Sequence, residues 1–176
     1  MELVLPLVTL RHWRPDDAES LARYANDRRI WLNLRDRFPH PFSRADAEAF
    51  IAMARNMVPV TFFAITMEDK AIGGIGYSLH QDVERVSAEI GYWLGIPFWG
   101  RGIMTSAVSA VTRFAFAQHP ELRRLYAVPY AWSTASTRVL EKAGYSLEGR
   151  MRQSAIKDGT VTDQFLYAIL RDESGG

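Results

Sequence analysis

The sequence predicts an α/β (α+β) fold: one domain built on a mixed, mostly antiparallel, twisted sheet of about seven strands with helices on both faces. Three observations carry this. Apolar runs at residues 60–67 and 71–79 meet at the polar tripeptide Glu68-Asp69-Lys70, the pattern of an antiparallel hairpin. Residues 87–94, 103–117 and 124–129 follow as strand, helix and strand, an order that requires a crossover and makes its two strands parallel. The chain of 176 residues shows no repeat, low-complexity stretch or linker, so residues 1–176 read as a single domain with a sizeable core.

Taken in order, residues 7–13 form a first strand, and Pro15-Asp16-Asp17 opens a helix running to about Asn26, with proline supplying its fixed φ at the helix start. A short helical turn is expected at 29–34. Pro39 and Pro41 keep residues 35–42 out of regular structure. Ser43 caps the next helix with Asp46 as its reciprocal partner, and Ala47, Phe50, Ile51 and Ala54 form its inward face. Gly74 and Gly76 invite a nucleotide-binding reading, but no helix follows them, so close backbone approach within a strand is the better account. After the strand at 87–94, its glycine turn and the crossover, a helix over 134–143 and strands at 145–156 and 162–170 complete the sheet.

Composition narrows the function. The 21 basic and 20 acidic residues nearly cancel, which argues against nucleic acid or an anionic membrane as the main partner. No cysteine is present, which excludes a disulfide framework, a thiolate metal site and an acyl-cysteine intermediate. His12, His80 and His119 stand without metal-ligand spacing, so surface or satisfied histidines are expected and no metal. Glu2 and the apolar run over 3–10, broken by Pro6, read as a strand rather than a signal peptide. No segment approaches the roughly 18 apolar residues of a membrane span, so a cytoplasmic protein is expected.

The stretch Pro97-Phe98-Trp99-Gly100-Arg101-Gly102-Ile103-Met104-Thr105 lies where an apolar strand gives way to an apolar helix. Gly100 and Gly102 let consecutive amides converge with no Cβ in the way. The helix opening near Ile103 adds unpaired amides and a positive dipole end. A pyrophosphate fits such a cradle, and an ordinary strand-to-helix turn accounts for the tripeptide as well. The spacing to a Lys-Ser/Thr pair that a P-loop requires is missing.

Context extends the motif. Ala88-Glu89-Ile90-Gly91-Tyr92-Trp93-Leu94 precedes it, and Ser133-Thr134-Ala135-Ser136-Thr137-Arg138-Val139-Leu140-Glu141-Lys142-Ala143-Gly144-Tyr145 follows it. Together these resemble the GNAT superfamily of acetyl-CoA-dependent N-acetyltransferases, and within it most the branch containing the ribosomal-protein N-terminal alanine and serine acetyltransferases. The resemblance covers nearly the whole chain, since Thr9-Leu10-Arg11 and Gly73-Gly74-Ile75-Gly76 also sit where that family has strands. It implies acetyl-CoA as the acetyl donor and a splayed central strand pair, with Trp93, Leu94 and Ile96 as the edge that pairs with the pantetheine arm. It places the pyrophosphate on the amides of Arg101, Gly102, Ile103, Met104 and Thr105, beside Gly100, with Arg101 adding charge. Ser133 and Arg138 complete the implied cofactor set; Ser133 stands where Asn is frequent, and both Ser and Asn cap helices well. Pro97 replaces a frequent Gln or Arg, leaving backbone amides and Arg101 as phosphate donors. Leu140 replaces the Tyr that protonates the leaving thiolate in many members, so that role passes to Ser136, as in the resembling branch.

Acyl transfer to an amine needs a neutral nucleophile, a stabilised oxyanion and a proton for the departing sulfur. With reference pKa values near 7.7–8.0 for an α-amine and 10.4 for lysine, roughly a tenth of α-amines and under about a thousandth of lysines are neutral at pH 7. An N-terminal α-amine is therefore the easier acceptor. Glu89, an acid in an apolar strand run, is the candidate base acting through water, against the competing reading of a surface residue paired with an Arg. Ser136 is either the thiolate donor or a first-turn serine bonded to local backbone. Backbone N–H groups near Leu94 would bond the thioester oxygen. Without a cysteine, transfer is direct in a ternary complex. Acceptor choice is assigned to loops: Trp31, Arg35, Asp36 and His40 framing a peptide N-terminus, with Asp36 attracting the ammonium, and the turn Lys157-Asp158-Gly159. Phe38 and Phe42 are expected to seal the core beneath. The activity implied is N-acetylation of a primary amine, foremost a protein or peptide α-amine. A small-molecule amine (polyamine, amino acid or aminoglycoside) as acceptor, and a non-catalytic acyl-CoA-binding module, are the alternatives. The chain is expected to be a monomer or homodimer without nucleic-acid or membrane partners.

Overall fold

The computed structural model describes residues 2–175. Strands β1 (Glu2–Val4), β2 (Thr9–Arg11), β3 (Phe62–Met67), β4 (Lys70–Leu79), β5 (Ser87–Leu94), β6 (Arg124–Ala127), β7 (Ser146–Lys157) and β8 (Thr160–Leu170) form one eight-stranded sheet in the order β1-β2-β3-β4-β5-β6-β8-β7. Helices are α1 (Ala18–Ala25), α2 (Arg28–Trp31), α3 (Arg44–Asn56), α4 (Ile103–Gln118) and α5 (Thr134–Lys142). The crossover through α4 makes β5 and β6 parallel, while the β1–β2, β2–β3, β3–β4, β6–β8 and β7–β8 ladders are antiparallel. The strand beyond the seven expected is β1. Pro6 interrupts the first apolar run, and the Leu5 amide donates to the Val8 carbonyl (2.9 Å), so the run folds into a hairpin and the strand expected over 7–13 shortens to Thr9–Arg11.

The chain falls into two compact units, one comprising the chain up to Gly76 with Tyr92–Ala107, the other Tyr77–Gly91 with the chain from Val108 onward. In the first, Trp13, Leu21, Phe42, Ile51, Ala64 and Ala71 belong to one buried cluster. Phe38 packs against that cluster and stacks on Phe42 at 4.6 Å, the sealing role expected of the pair. The buried Arg11 guanidinium donates two 2.8 Å hydrogen bonds to the Asp17 carboxylate and a third, at 3.0 Å, to the Asp69 carbonyl. Asp17 also accepts from the Arg14 amide at 2.7 Å, so one buried ion pair ties β2 to the start of α1 and to the β3–β4 turn. The Asp46 amide donates to Ser43 Oγ (3.2 Å) and the Ser43 amide to Asp46 (2.8 Å), the reciprocal cap expected at the start of α3.

In the second unit, tyrosine hydroxyls meet the polar tips of other side chains, in buried and part-buried positions. Thr112 Oγ1 and Tyr145 Oη lie 2.8 Å apart, Tyr77 Oη and His119 Nε2 3.0 Å apart, and Tyr167 Oη donates to Glu141 at 2.8 Å. The β7–β8 loop is Asp158-Gly159, with φ of 49° and 74°, the left-handed pair that a two-residue hairpin turn requires. Lys157 is only 1% exposed, so its side chain does not extend from this turn toward an acceptor; it lies among the most buried in the protein. Among the described residues no helix is long and apolar enough to cross a membrane.

Candidate active site

The end of β5 is shaped by glycines on β4. A Cβ on Gly73 would lie 2.6 Å from the Trp93 carbonyl oxygen, and one on Gly74 would lie 2.8 Å from Trp93 Nε1 and 3.1 Å from Trp13 Cζ2. The close approach expected of Gly74 and Gly76 is made, at Gly74 to Trp93 and at Gly76 to Phe62 and the Thr61 carbonyl, and Gly73 adds a further approach to Trp93. The parallel ladder to β6 covers Ser87–Glu89, and β5 continues beyond it to Leu94. There the Gly95 amide donates to the Ile72 carbonyl (2.8 Å), toward β4. Because backbone groups alternate along a strand, the Leu94 amide and carbonyl face away from β4. The Trp99 indole N–H donates to that carbonyl at 2.7 Å, which leaves the Leu94 N–H as the outward donor. Ile96 departs from the expected pairing edge: Gly95 and Pro97 turn the chain into a 3-10 turn over Ile96–Phe98, so Ile96 lies past the strand.

The glycine pair expected to cradle a pyrophosphate comes directly after this turn. Gly100 and Gly102 both have φ of +75°, a conformation costly for any residue with a Cβ, and nothing lies within 4 Å of where either Cβ would stand. The Ser106 amide donates to the Gly102 carbonyl at 3.1 Å, so the amides of Ile103, Met104 and Thr105 precede it in the first turn of α4, where helix geometry provides no partner. The side chains of Ile103 and Met104 are buried, Thr105 is half-buried, and the exposed Arg101 holds its guanidinium 5.9 Å from the Phe98 ring centre. Phe98 in turn meets Tyr24 edge-on at 5.2 Å. An open, left-handed glycine pair, first-turn amides and one exposed Arg are the donor set that a pyrophosphate such as that of acetyl-CoA fits.

The acceptor candidates divide. Trp31 and His40 stack at 5.5 Å, and the Arg28 guanidinium lies 6.0 Å from the Trp31 ring centre. Arg35, Asp36 and His40 are exposed, and Phe38 contacts Trp93 at 6.2 Å, setting this segment against the end of β5.

In the second unit, Glu89 is half-buried on β5 with Tyr126 of β6 as its ladder partner. Ser136 is half-buried in the first turn of α5, and Arg138 is exposed on the same helix. Ser133 departs from expectation: it occupies the cap position and is 8% exposed, but its side chain makes no capping bond. Its φ of −81° and ψ of 65° lie outside the extended region from which Oγ reaches the second or third amide. Two contacts escape local pattern reading, the Trp99 bond to Leu94 and a 2.8 Å bond between His80 Nε2 and Tyr126 Oη. Neither has a sequence motif, because each joins residues brought together only by strand pairing or by the turn. Among the described residues no group of three or more His, Asp or Glu is arranged to hold a metal ion.

Comparison with known proteins identifies the family. Residues 8–146 match the acetyltransferase (GNAT) domain. The chain is 27% identical over 183 aligned residues to the uncharacterized N-acetyltransferase p20 of Bacillus licheniformis, covering 96% of each chain. It is 34% identical over 110 residues to the ribosomal-protein-serine acetyltransferase of Escherichia coli, covering 62% of this chain and 60% of that one. Among solved structures, Mycobacterium smegmatis RimJ in complex with CoA-disulfide superimposes with a TM-score of 0.81 at 23% identity, over 100% of this chain and 88% of that one. The chain belongs to the GNAT family of acetyltransferases.

Proposed function

We propose that the protein transfers the acetyl group of acetyl-CoA to the α-amine of a protein or peptide N-terminus, by direct attack in a ternary complex. The observation that carries this reading is the succession from the Leu94 N–H through the Trp99-locked turn to the open Gly100–Gly102 cradle at the head of α4. The family match over residues 8–146 takes in parts of both units and supports treating residues 1–176 as one transferase domain. The similarity to a ribosomal-protein-serine acetyltransferase favours an N-terminal amine.

Each residue then has a task. Gly100, Gly102 and the amides of Arg101 to Thr105 hold the pyrophosphate, with Arg101 adding a cation; Trp93 and Leu94 offer strand edge to the pantetheine arm; Ser133 and Arg138 add contacts from α5. The Leu94 N–H polarises the thioester oxygen, where charge develops. Glu89 accepts the proton of the incoming ammonium through water; as the C–S bond breaks, Ser136 Oγ–H protonates the departing sulfur and Ser136 recovers a proton from the nitrogen of the tetrahedral intermediate. Asp36 draws the ammonium in, and Trp31, Arg35 and His40 frame the first side chains of the acceptor peptide.

The test is release of CoA from acetyl-CoA against peptides with free Ala, Ser or Met termini, polyamines and aminoglycosides. Release with peptides only is expected, and release with a small amine only would replace the acceptor. Glu89→Gln should lower kcat about 100-fold while leaving acetyl-CoA affinity unchanged; full activity would remove Glu89 as the base.

A further inference from the structure

The His80–Tyr126 bond crosses the strand that carries Glu89. β5 lies between β4 and β6, and the His80 amide, just past β4, donates to the Ser87 carbonyl at 3.1 Å. On the other side Tyr126 is the ladder partner of Glu89, so the two side chains leave the sheet on the same face. The imidazole and phenol join over that face, with Nε2 and Oη 2.8 Å apart, ring centres 5.7 Å apart and planes inclined by 19°. The Ser87–Glu89 segment runs beneath this bridge. The other charged groups at the bridge are Arg124, with its guanidinium 5.6 Å from the Tyr126 ring centre, and Glu148, which accepts from Arg124 at 2.6 Å and so holds that cation in place.

From this geometry we infer that Tyr126 and His80 form the proton outlet of Glu89. The inference rests on the reading of Glu89 as the base. Once Glu89 has taken the acceptor's proton, it must lose it before the next turnover. The O–H bond of the Glu89 carboxylic acid breaks as Tyr126 Oη takes that proton, directly or through a water. Tyr126's own hydroxyl proton passes to His80 Nε2, and the imidazolium so formed gives up a proton to solvent. Glu89 returns to carboxylate, Tyr126 remains a neutral phenol, and one proton has left.

The experiment measures peptide-dependent CoA release in weak, non-nucleophilic buffer. His80→Ala and Tyr126→Phe should each lower kcat about tenfold, with the KM for acetyl-CoA and the melting temperature unchanged. Millimolar imidazole should restore most of the His80→Ala rate, which a purely structural histidine would not allow. His119→Ala removes the other Tyr–His bond of this unit and should show no imidazole rescue. Wild-type turnover in His80→Ala, or a loss that imidazole leaves untouched, would overturn the outlet. Glu89→Gln, run in parallel, separates the two ideas: an inactive Glu89→Gln beside an unaffected His80→Ala removes only the outlet, whereas a fully active Glu89→Gln removes the base and the outlet together.

Discussion

The two compact units handle their critical contacts in opposite ways. In the unit that holds the Gly100–Gly102 turn, what matters is the absence of side chains: Gly73 and Gly74 leave room for Trp93, and Gly100 and Gly102 permit a left-handed backbone. In the other unit the critical contacts are made by the tips of long side chains, Tyr77 with His119, Tyr126 with His80, Tyr145 with Thr112 and Tyr167 with Glu141. The difference follows from what backbone and side chains can offer. Converging amides meet an anion only where no Cβ obstructs them, whereas the polar tips of large, part-buried side chains must find hydrogen-bond partners. Even within the first unit the glycines serve two ends. Gly73 and Gly74 lack space for a Cβ, while Gly100 and Gly102 have the space but the wrong dihedral for one.

Substituting alanine at each kind of glycine separates these two causes. Gly73→Ala has the largest expected effect. Its Cβ would stand 2.6 Å from the Trp93 carbonyl and 3.2 Å from Leu94 Cα, both backbone atoms that cannot swing aside. We expect a loss of about 3 kcal/mol in urea unfolding, with β5 displaced from β4. A loss below about 1 kcal/mol would show that the two strands slide past each other freely. Gly102→Ala meets nothing in space, and only its φ of +75° is strained, so the stability loss should be about 1 kcal/mol. The loop relieves that strain by changing shape, and the affinity for acetyl-CoA should fall about tenfold by calorimetry. Gly102→Asn, which tolerates the left-handed region better, should recover part of both. Equal effects from Gly73→Ala and Gly102→Ala on stability would erase the distinction drawn between them.

Legibility in the sequence obeys the same division. The β5 boundaries, the Ser43–Asp46 cap and the start of α4 are readable because each depends on residues within a few positions of one another. The close approach at Gly74 and Gly76 is readable as a type of contact, though not as a contact of Gly74 with Trp93, which lies on another strand. The β1–β2 hairpin is not readable, because the break at Pro6 is visible in the apolar run over residues 3–10 but nothing local shows that the chain reverses there and pairs with itself. Apolar patterning ends the strand correctly at Leu94, whereas the family resemblance carries the pairing edge on to Ile96 because it does not register the bend that Gly95 and Pro97 impose. The His80–Tyr126 bridge is beyond its reach, since strand order alone brings those residues across β5.

The smallest expected effect tests whether the two Tyr–His pairs of the second unit differ in kind. Tyr77 is 1% exposed, burial pushes its hydroxyl up to about 12, and burial holds His119 below the ordinary imidazole value. A histidine depressed in the folded state binds fewer protons there than in the unfolded chain. Its contribution to stability is therefore present above the unfolded value of about 6.5 and is lost as pH falls through the folded value. Tyr77, raised in the fold, contributes below about 10 and loses that contribution as pH rises toward 12. His119→Gln keeps a polar partner for Tyr77 but cannot titrate. The melting-temperature advantage of the native chain over this variant should therefore hold above about pH 6.5, the ordinary histidine value, and shrink in the window below it. Turnover of His119→Gln relative to the native chain should stay constant across that window, because the pair stabilises packing and does not carry the proton of the reaction. If turnover instead falls in step with stability, Tyr77 and His119 share the work assigned to Tyr126 and His80, and the division between a structural and a proton-carrying pair fails.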